Sequence, residues 1–541
     1  MKNTLRFALL LLFSGTLLTA NAQDINADSA DVAPDSIKEY YQWYHSDINE
    51  DDLVGISLDE AYEFARARNK VARPVIVAII DSGVDTAHVD LRNRLWHNPG
   101  EIPYNGIDDD GDGYVDDVYG WNFIGGPDGR NVDADTWELT RLYRKYKKKF
   151  AGKSKSDIAP EDKAEYEEWL KIQADYKKQR AESREAVKNY GMYVEAIEKS
   201  NEILDKYFRG KEYTKEDVQN IQTTDDRLKW AITIYSFFEG DAKPIEDALE
   251  YHEGLLNKKL NPRFHTRQIV GDNALDINDT LYGNNDVTAG TASHGTGVAG
   301  IVAAERNGFG VDGIADSVQI MVIRVVPGGD ERDKDVALGI RYAVNHGARI
   351  INCSFGKSYS PNKEFVDSAI RYAERNNVLI VHAAGNSAEN NDVVAHYPTP
   401  EYAPGKFVNN WLDIGASDSL LDIHLPADFS NYGQKSVDLF APGVETMTTA
   451  PKNKYRASSG TSNAAPVVTG VAALVLSYYP KLTAVELKEI IKESARAYPK
   501  QKVLIPGEKK KKTKFKKLSK TGGIVNAYEA MKLAEERTEG K

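Results

Sequence analysis

Five runs of consecutive apolar, largely β-branched residues limit what this chain can fold into. They are PVIVAIID (74–81), SVQIMVIRVV (317–326), ARIINCSF (348–355), NVLIVHAAG (377–385) and VNNWLDIGAS (408–417). Such runs, bounded by turn residues, suit strands covered on both faces, as in a parallel sheet. Helical patterns separate most of them: HGTGVAGIVAAE, KDVALGIRYAVNHG and KEFVDSAIRYAERN. Strand–helix alternation predicts an α/β domain on a mostly parallel sheet.

The stretch 125–285 reads differently. It is highly charged, and Tyr190, Val194, Ile197 and Leu204 fall on one helical face. KPIEDALEYHEGLL is a second amphipathic helix, with Pro244 near its start. This block is expected to be a helical insertion folded into hairpins, with the α/β body at 51–124 and 286–541. Within that body, Ser57 and Glu60 form an expected capping box for SLDEAYEFARA.

The first 22 residues have the form of an export signal: Lys2 and Arg6, an apolar core, then ANA before Gln23. A cut after Ala22 makes the chain secreted or periplasmic, with 23–50 as a polar arm. No later run is expected to be long enough to cross a bilayer. The formal net charge of −12 argues against a dedicated nucleic-acid binder. The single cysteine, Cys353, cannot form an intrachain disulfide and reads as a buried thiol. GEKKKKTKFKKLSK (507–520) reads as a basic surface loop.

Three short motifs carry candidate chemistry. AIIDSGVD puts Asp81 at the end of a buried strand, TASHGTGVAG puts His294 ahead of an apolar helix, and SSGTSNAAP puts Ser462 at a helix start. Taken singly, each has a plain reading as turn, structural histidine or cap. Together, Asp…His…Ser is the chain order found in subtilisin. With AAGNSAEN as a fourth motif, the sequence resembles the subtilisin-like serine proteases over roughly 40–124 and 285–540.

The resemblance implies a three-layer α/β fold and an endopeptidase acting on proteins or peptides. Ser462 would be the nucleophile, His294 its base, Asp81 the group that orients the imidazole, and Asn386 an oxyanion donor. Ser354, Phe355 and Gly356, with Ala383, Ala384 and Gly385, would line the substrate cleft. His396 stands where the family commonly has a small residue, and so is either a pocket-floor group or a plain loop residue. Asp330, Glu331, Asp333 and Asp335 fall near the family's upstream subsites, which suggests a preference for basic residues there. Asn463 replaces a usual methionine and Gly297 a second histidine. The segment ahead of the body is shorter than the folding chaperone that secreted members usually carry, so either folding is assisted differently or the insertion takes over control, and the insertion is expected to shield or shape the cleft. A competing reading is a catalytically latent protein or pseudoprotease scaffold that binds a partner through the insertion.

GIDDDGDGYVDDVYGWNF sets Asp108, Asp110, Asp112 and Asp116 at positions 1, 3, 5 and 9 of an EF-hand-like loop. Gly113 stands at the turn, and Tyr114 would offer its carbonyl. Position 12 is Tyr119, so Asp117 is the expected closing ligand. So many carboxylates in one loop repel without a cation, and calcium is expected. The resemblance implies a second calcium site at Asp90 and Asn307.

Overall fold

The computed structural model describes residues 39–290 and 292–539. The expected export signal and most of the expected polar arm lie outside these residues. The described chain divides into two compact units, Ala134–Thr266 and the remainder.

The larger unit is built on one nine-stranded sheet: β1 (Val75–Asp81), β2 (Gly120–Asn122), β3 (Val318–Arg324), β4 (Ile350–Cys353), β5 (Leu379–Ala383), β6 (Trp411–Ser417), β7 (Leu439–Pro442), β8 (Arg496–Ala497) and β9 (Gly523–Ile524). Their spatial order is β8-β9-β7-β6-β5-β4-β1-β3-β2. Only the β8–β9 pair is antiparallel. Side-chain alternation explains why the apolar runs are unbroken. Val77 and Ile79 enter one core, while Ala78 and Ile80 enter the other. Each of the Val and Ile burials stabilises the fold by roughly 1.5–3 kcal/mol.

Helices Ser293–Ala303 and Thr461–Tyr478 pack in the first core, and Asp333–Asn345 and Lys363–Arg375 in the second. This is a three-layer α/β arrangement. The chain leaves β1 toward β3 on one side, and β4 pairs with β1 on the other. The carboxyl ends of β1 and β4 therefore flank a topological switch point, where open α/β sheets form their clefts.

Several expectations change. Ser57 does not cap its helix: its φ is 56°, its hydroxyl donates to Asp47 (2.6 Å), and it accepts from Asn526 (2.7 Å). The basic stretch is not simply a loop, because Lys512–Lys514 pairs with Lys502–Leu504. Thr461–Tyr478 is long and apolar enough to cross a membrane, contrary to the sequence expectation, and 89% of it is buried inside the protein. A helix covered all round is apolar all round. Cys353 is buried, and burial pushes its thiol well up.

The smaller unit is helical. Lys163–Tyr207 runs unbroken for 45 residues, and Glu138–Phe150, Asp226–Phe238 and Lys243–Gly254 pack against it. Leu204, Val218, Leu228 and Ala231 form its cluster, and Tyr143 stacks on Tyr176 at 3.8 Å. Its bounds lie inside 125–285. The flanking stretches join the larger unit through bridges such as Asn122–Asn284, and Val132 and Val270 share one apolar cluster there.

Candidate active site

Asp81 ends β1 and is buried. Its Oδ1 accepts from Ser82 N–H (2.6 Å) and lies 2.8 Å from His294 Nδ1. His294 opens its helix close to β1 because residue 295 is glycine; a Cβ there would lie 2.2 Å from Gly83 O and 3.2 Å from Asp81 Cβ. The imidazole is half-buried, with a third of its side chain exposed.

Ser462 lies in the first turn of Thr461–Tyr478, after Gly460. A Cβ on Gly460 would lie 2.8 Å from Ser462 Oγ and 3.6 Å from both Ser462 N and Asn386 Nδ2. The hydroxyl and two potential oxyanion donors thus converge on one small space. Asn386 is fixed by its other end: Oδ1 accepts from Thr461 N–H (2.8 Å) and Thr461 Oγ1 (2.9 Å). That arrangement directs the amide nitrogen toward the serine.

The expected cleft walls follow two paired strands, with Ser354–Gly356 after β4 and Ala383–Gly385 at the end of β5. Ser354 Oγ donates to Ser462 O (3.0 Å) and accepts from Asn352. His382 bridges the Asp413 carboxylate (2.6 Å) and the Phe355 carbonyl (3.0 Å). Gly385 has φ +107°, a region that favours glycine. Buried Asn431 staples this turn, donating to Ala384 O and accepting from the N–H groups of Ser387 and Glu389.

Sequence reasoning missed Thr461, Asn431, His382 and Arg324. Arg324 is fully buried beside Asp81, donating to Ser82 O, Asn122 and Val132 O. Burial pulls its guanidinium down to about 10, with Asp133 and Asp286 acting the other way. An arginine inside an apolar strand run was the available signal.

Three of the four expected upstream acidic residues are buried, and Asp330 alone is half-buried. Asp333 pairs with buried Lys357 (2.8 Å), and Asp335 takes a bidentate bond from Arg267 and the Tyr282 hydroxyl. Both carboxylates are buried and internally neutralised, so they offer nothing to a basic substrate. Glu331 is buried as well, and burial pushes its carboxyl up to about 7 against the pull of Lys357.

In the acidic loop, Asp108 accepts N–H bonds from Gly111, Asp112 and Gly113. Asp110 and Asp112 accept from Asp112 N–H and Tyr114 N–H respectively. Ligand atoms of Asp110, Asp112 and His346 lie within 4.8 Å of one another, as do those of Glu101, Asp110 and Asp117. Asp117 is fully buried, accepting from Tyr342 and Asn98. Asp116 instead holds the N–H groups of Asn105 and Gly106, and the Tyr114 ring packs against Trp121 and Tyr342. Glu101, not foreseen, binds the N–H groups of Asp109 and Asp116. Away from this loop, Asp90 Oδ2 accepts from Tyr455 and Val311, while its buried Oδ1 has no partner. Asn307 is exposed and bonds Glu305 and Phe309 in its own turn.

Comparison with known proteins gives a match to the subtilase family model over residues 72–523. The cell wall-associated protease of Bacillus subtilis is 36% identical over 222 residues, covering 41% of this chain and 23% of that one. The M-protease of Shouchella clausii is 31% identical over 287 residues, covering 50% of this chain and 71% of that one. Among solved structures, a protease from Pseudoalteromonas arctica aligns over 93% of this chain and all of its own, at 19% identity and a TM-score of 0.48. The chain spans less than a quarter of the first relative's length.

Proposed function

The chain belongs to the subtilase family, and on that premise we propose that it is an exported, calcium-stabilised serine endopeptidase working through Asp81, His294 and Ser462. The observation that carries the reading is a pair of geometries. Asp81 holds His294 Nδ1 at 2.8 Å, and Ser462 Oγ, Ser462 N and Asn386 Nδ2 surround one space at Gly460.

A serine hydroxyl becomes a competent nucleophile when a base takes its proton. His294 accepts that proton as Oγ bonds to the scissile carbonyl carbon, and Asp81 fixes the tautomer and stabilises the imidazolium. The carbonyl oxygen becomes an oxyanion, with Ser462 N–H and Asn386 Nδ2 as its donors. Collapse breaks the C–N bond, the amine leaves with the proton from His294, and the acyl group stays on Oγ. Water, deprotonated by His294, then releases the carboxylic acid and restores the serine.

Calcium suits the oxygen-rich loop, where ligand atoms gather in two groups that share Asp110, one with Asp112 and His346 and one with Glu101 and Asp117, and Asp108 would be a further oxygen ligand. Calcium would neutralise crowded carboxylates and take no part in the bond-breaking steps. At the second expected site, the unpartnered Asp90 Oδ1 supports a cation more than Asn307 does. Export rests on residues 1–22 and is read from the N-terminal mass of the mature protein.

The test is intact-mass spectrometry after exposure to a fluorophosphonate probe, with calcium and with chelator. One adduct, mapped to Ser462 and absent from His294→Ala, is the expected result. A folded protein that takes no adduct either before or after limited proteolysis of the insertion overturns the enzyme reading in favour of a scaffold, whereas an adduct gained only after proteolysis marks a latent enzyme.

A further inference from the structure

The lysine-rich stretch 507–520 takes no part in bond cleavage, yet the fold fixes it beside the turn that carries Asn386. Lys502–Leu504 and Lys512–Lys514 form an antiparallel hairpin. Val503 and Phe515 are fully buried in one apolar cluster with Ala384 and Phe440, which pins the inner side of the hairpin to the body. Strand alternation puts Thr513 on that inner side, opposite Val503, and turns Lys512 and Lys514 outward. At the tip, Gly507 N–H donates to Asp428 O, the neighbouring Phe429 O accepts from Ala388 N–H, and a Cβ on Gly507 would lie 2.9 Å from Ala388 Cβ. Lys509 and Asn386 are each two residues from that contact, so their Cα atoms lie within about 20 Å of each other. An extended peptide covers that distance in about six residues.

Charge is concentrated on this hairpin. Residues 507–520 hold eight lysines and one acidic residue, Glu508, in a chain of formal net charge −12. Among the described residues, Lys520 has an ion pair with Asp438 (2.9 Å), whereas Lys509, Lys510, Lys511, Lys512 and Lys514 have none. Lys502 stands directly opposite Lys514, and like charges so placed are destabilising. The fold thus gathers cations that an added anion would neutralise. From this placement we propose that the hairpin is a docking surface for an acidic segment of the protein substrate, about six residues from the bond to be cut. The inference rests on the protease reading above and deepens it by naming the substrate class: proteins with a run of Asp and Glu near the cut. Lysine suits that task, because each ammonium is a point charge on a flexible stem and attracts carboxylates without demanding one geometry. Other polyanions fit less well. The one aromatic residue of 507–520, Phe515, is buried, so nucleic-acid bases find no ring to stack on. Every exposed residue of 507–520 is Gly507, Glu508 or a lysine, so the hairpin offers a lipid surface no apolar side chain to insert.

The test uses fluorogenic peptides that share the residues around the cut and differ about five to eight residues away, where one carries Asp-Glu-Asp-Glu and the other Asn-Gln-Asn-Gln, before or after the cut. At low salt, wild type is expected to show kcat/KM at least about tenfold higher for the acidic flank on one side, through KM, and to lose that advantage in about 0.5 M sodium chloride. A variant carrying Lys509→Gln, Lys510→Gln, Lys511→Gln and Lys512→Gln is expected to lose the advantage while cleaving the neutral peptide as wild type does. A second variant, Lys510→Glu with Lys512→Glu, is expected to reverse it. Fluorescence anisotropy of the same peptides on Ser462→Ala reads docking without cleavage. Equal values for the two flanks in both assays, or an advantage that survives in both variants, overturns the docking surface, and Ser462 labelling by a fluorophosphonate then leaves the protease reading standing. Phosphatidylglycerol vesicles that sediment the protein while neither flank is preferred assign the lysines to a lipid surface and overturn the proposal too. Absence of labelling and of cleavage in folded wild type overturns the protease reading, and the substrate role of the hairpin with it.

Discussion

Thr461 serves Asn386 twice, through its backbone N–H and its hydroxyl, and its Oγ1 also accepts from Gly385 N–H. Asn386→Ala should lower kcat about 100- to 1000-fold. Thr461→Val keeps the N–H bond and the volume, so a smaller loss of kcat with KM little changed is expected from steady-state kinetics. Such residues were not legible in the sequence. Thr461 and Asn386 are 75 positions apart, and nothing in either segment announces the pairing. Asp81, His294, Ser462 and Asn386 were legible because each sits in a short motif whose turn and helix chemistry is local. His396 yields a pH prediction as well. Its folded imidazole is held near 3 against an ordinary 6.5. Between those values the unfolded chain binds a proton that the folded one refuses, so this contribution to stability is lost as pH falls through the window. Urea midpoints at pH 7 and pH 4 should show a smaller acid penalty for His396→Gly than for wild type.

At the scale of elements, the acidic loop links composition to stability. If calcium is bound at a hundredfold over its Kd, chelation should remove about 2.7 kcal/mol of stability. Asp110→Asn should erase most of that difference, as read by thermal unfolding with and without chelator. The central strands were legible because burial on both faces leaves an unbroken apolar run. β7, β8 and β9 were not: they have two to four residues each, too few to carry a pattern. The failed cap at Ser57 has a similar cause. Its sequence satisfies the local rule, but Asp47, outside the capping motif, and Asn526, distant in the chain, compete for the hydroxyl.

At the scale of the molecule, every group assigned to the catalytic site lies outside Ala134–Thr266. Replacing that unit by a short linker should therefore leave the rate of Ser462 labelling by a small fluorophosphonate unchanged. Protein substrates, assayed on the same variant, would reveal any role of the insertion in admitting them. Alternation and charge revealed the two-part organisation, whereas the exact joints depended on bridges such as Asn122–Asn284 that pair residues far apart in sequence.

Val132 and Val270 meeting in one apolar cluster also bears on how the chain finds its fold. Strand β1 must pair with β3 across a segment of which the inserted unit is more than half. Once that unit has formed, Trp137 N–H bonds Lys259 O within it (3.0 Å), so its two ends are already neighbours, and the effective loop is cut by about a factor of two. Loop-closure entropy falls by only roughly 0.6 kcal/mol per halving. The gain comes at the step where long-range parallel pairing is slowest. Early assembly of the helical unit would thus act as a chain-shortening device for the sheet, and pulsed hydrogen exchange should find its amides protected before those of β1 and β3.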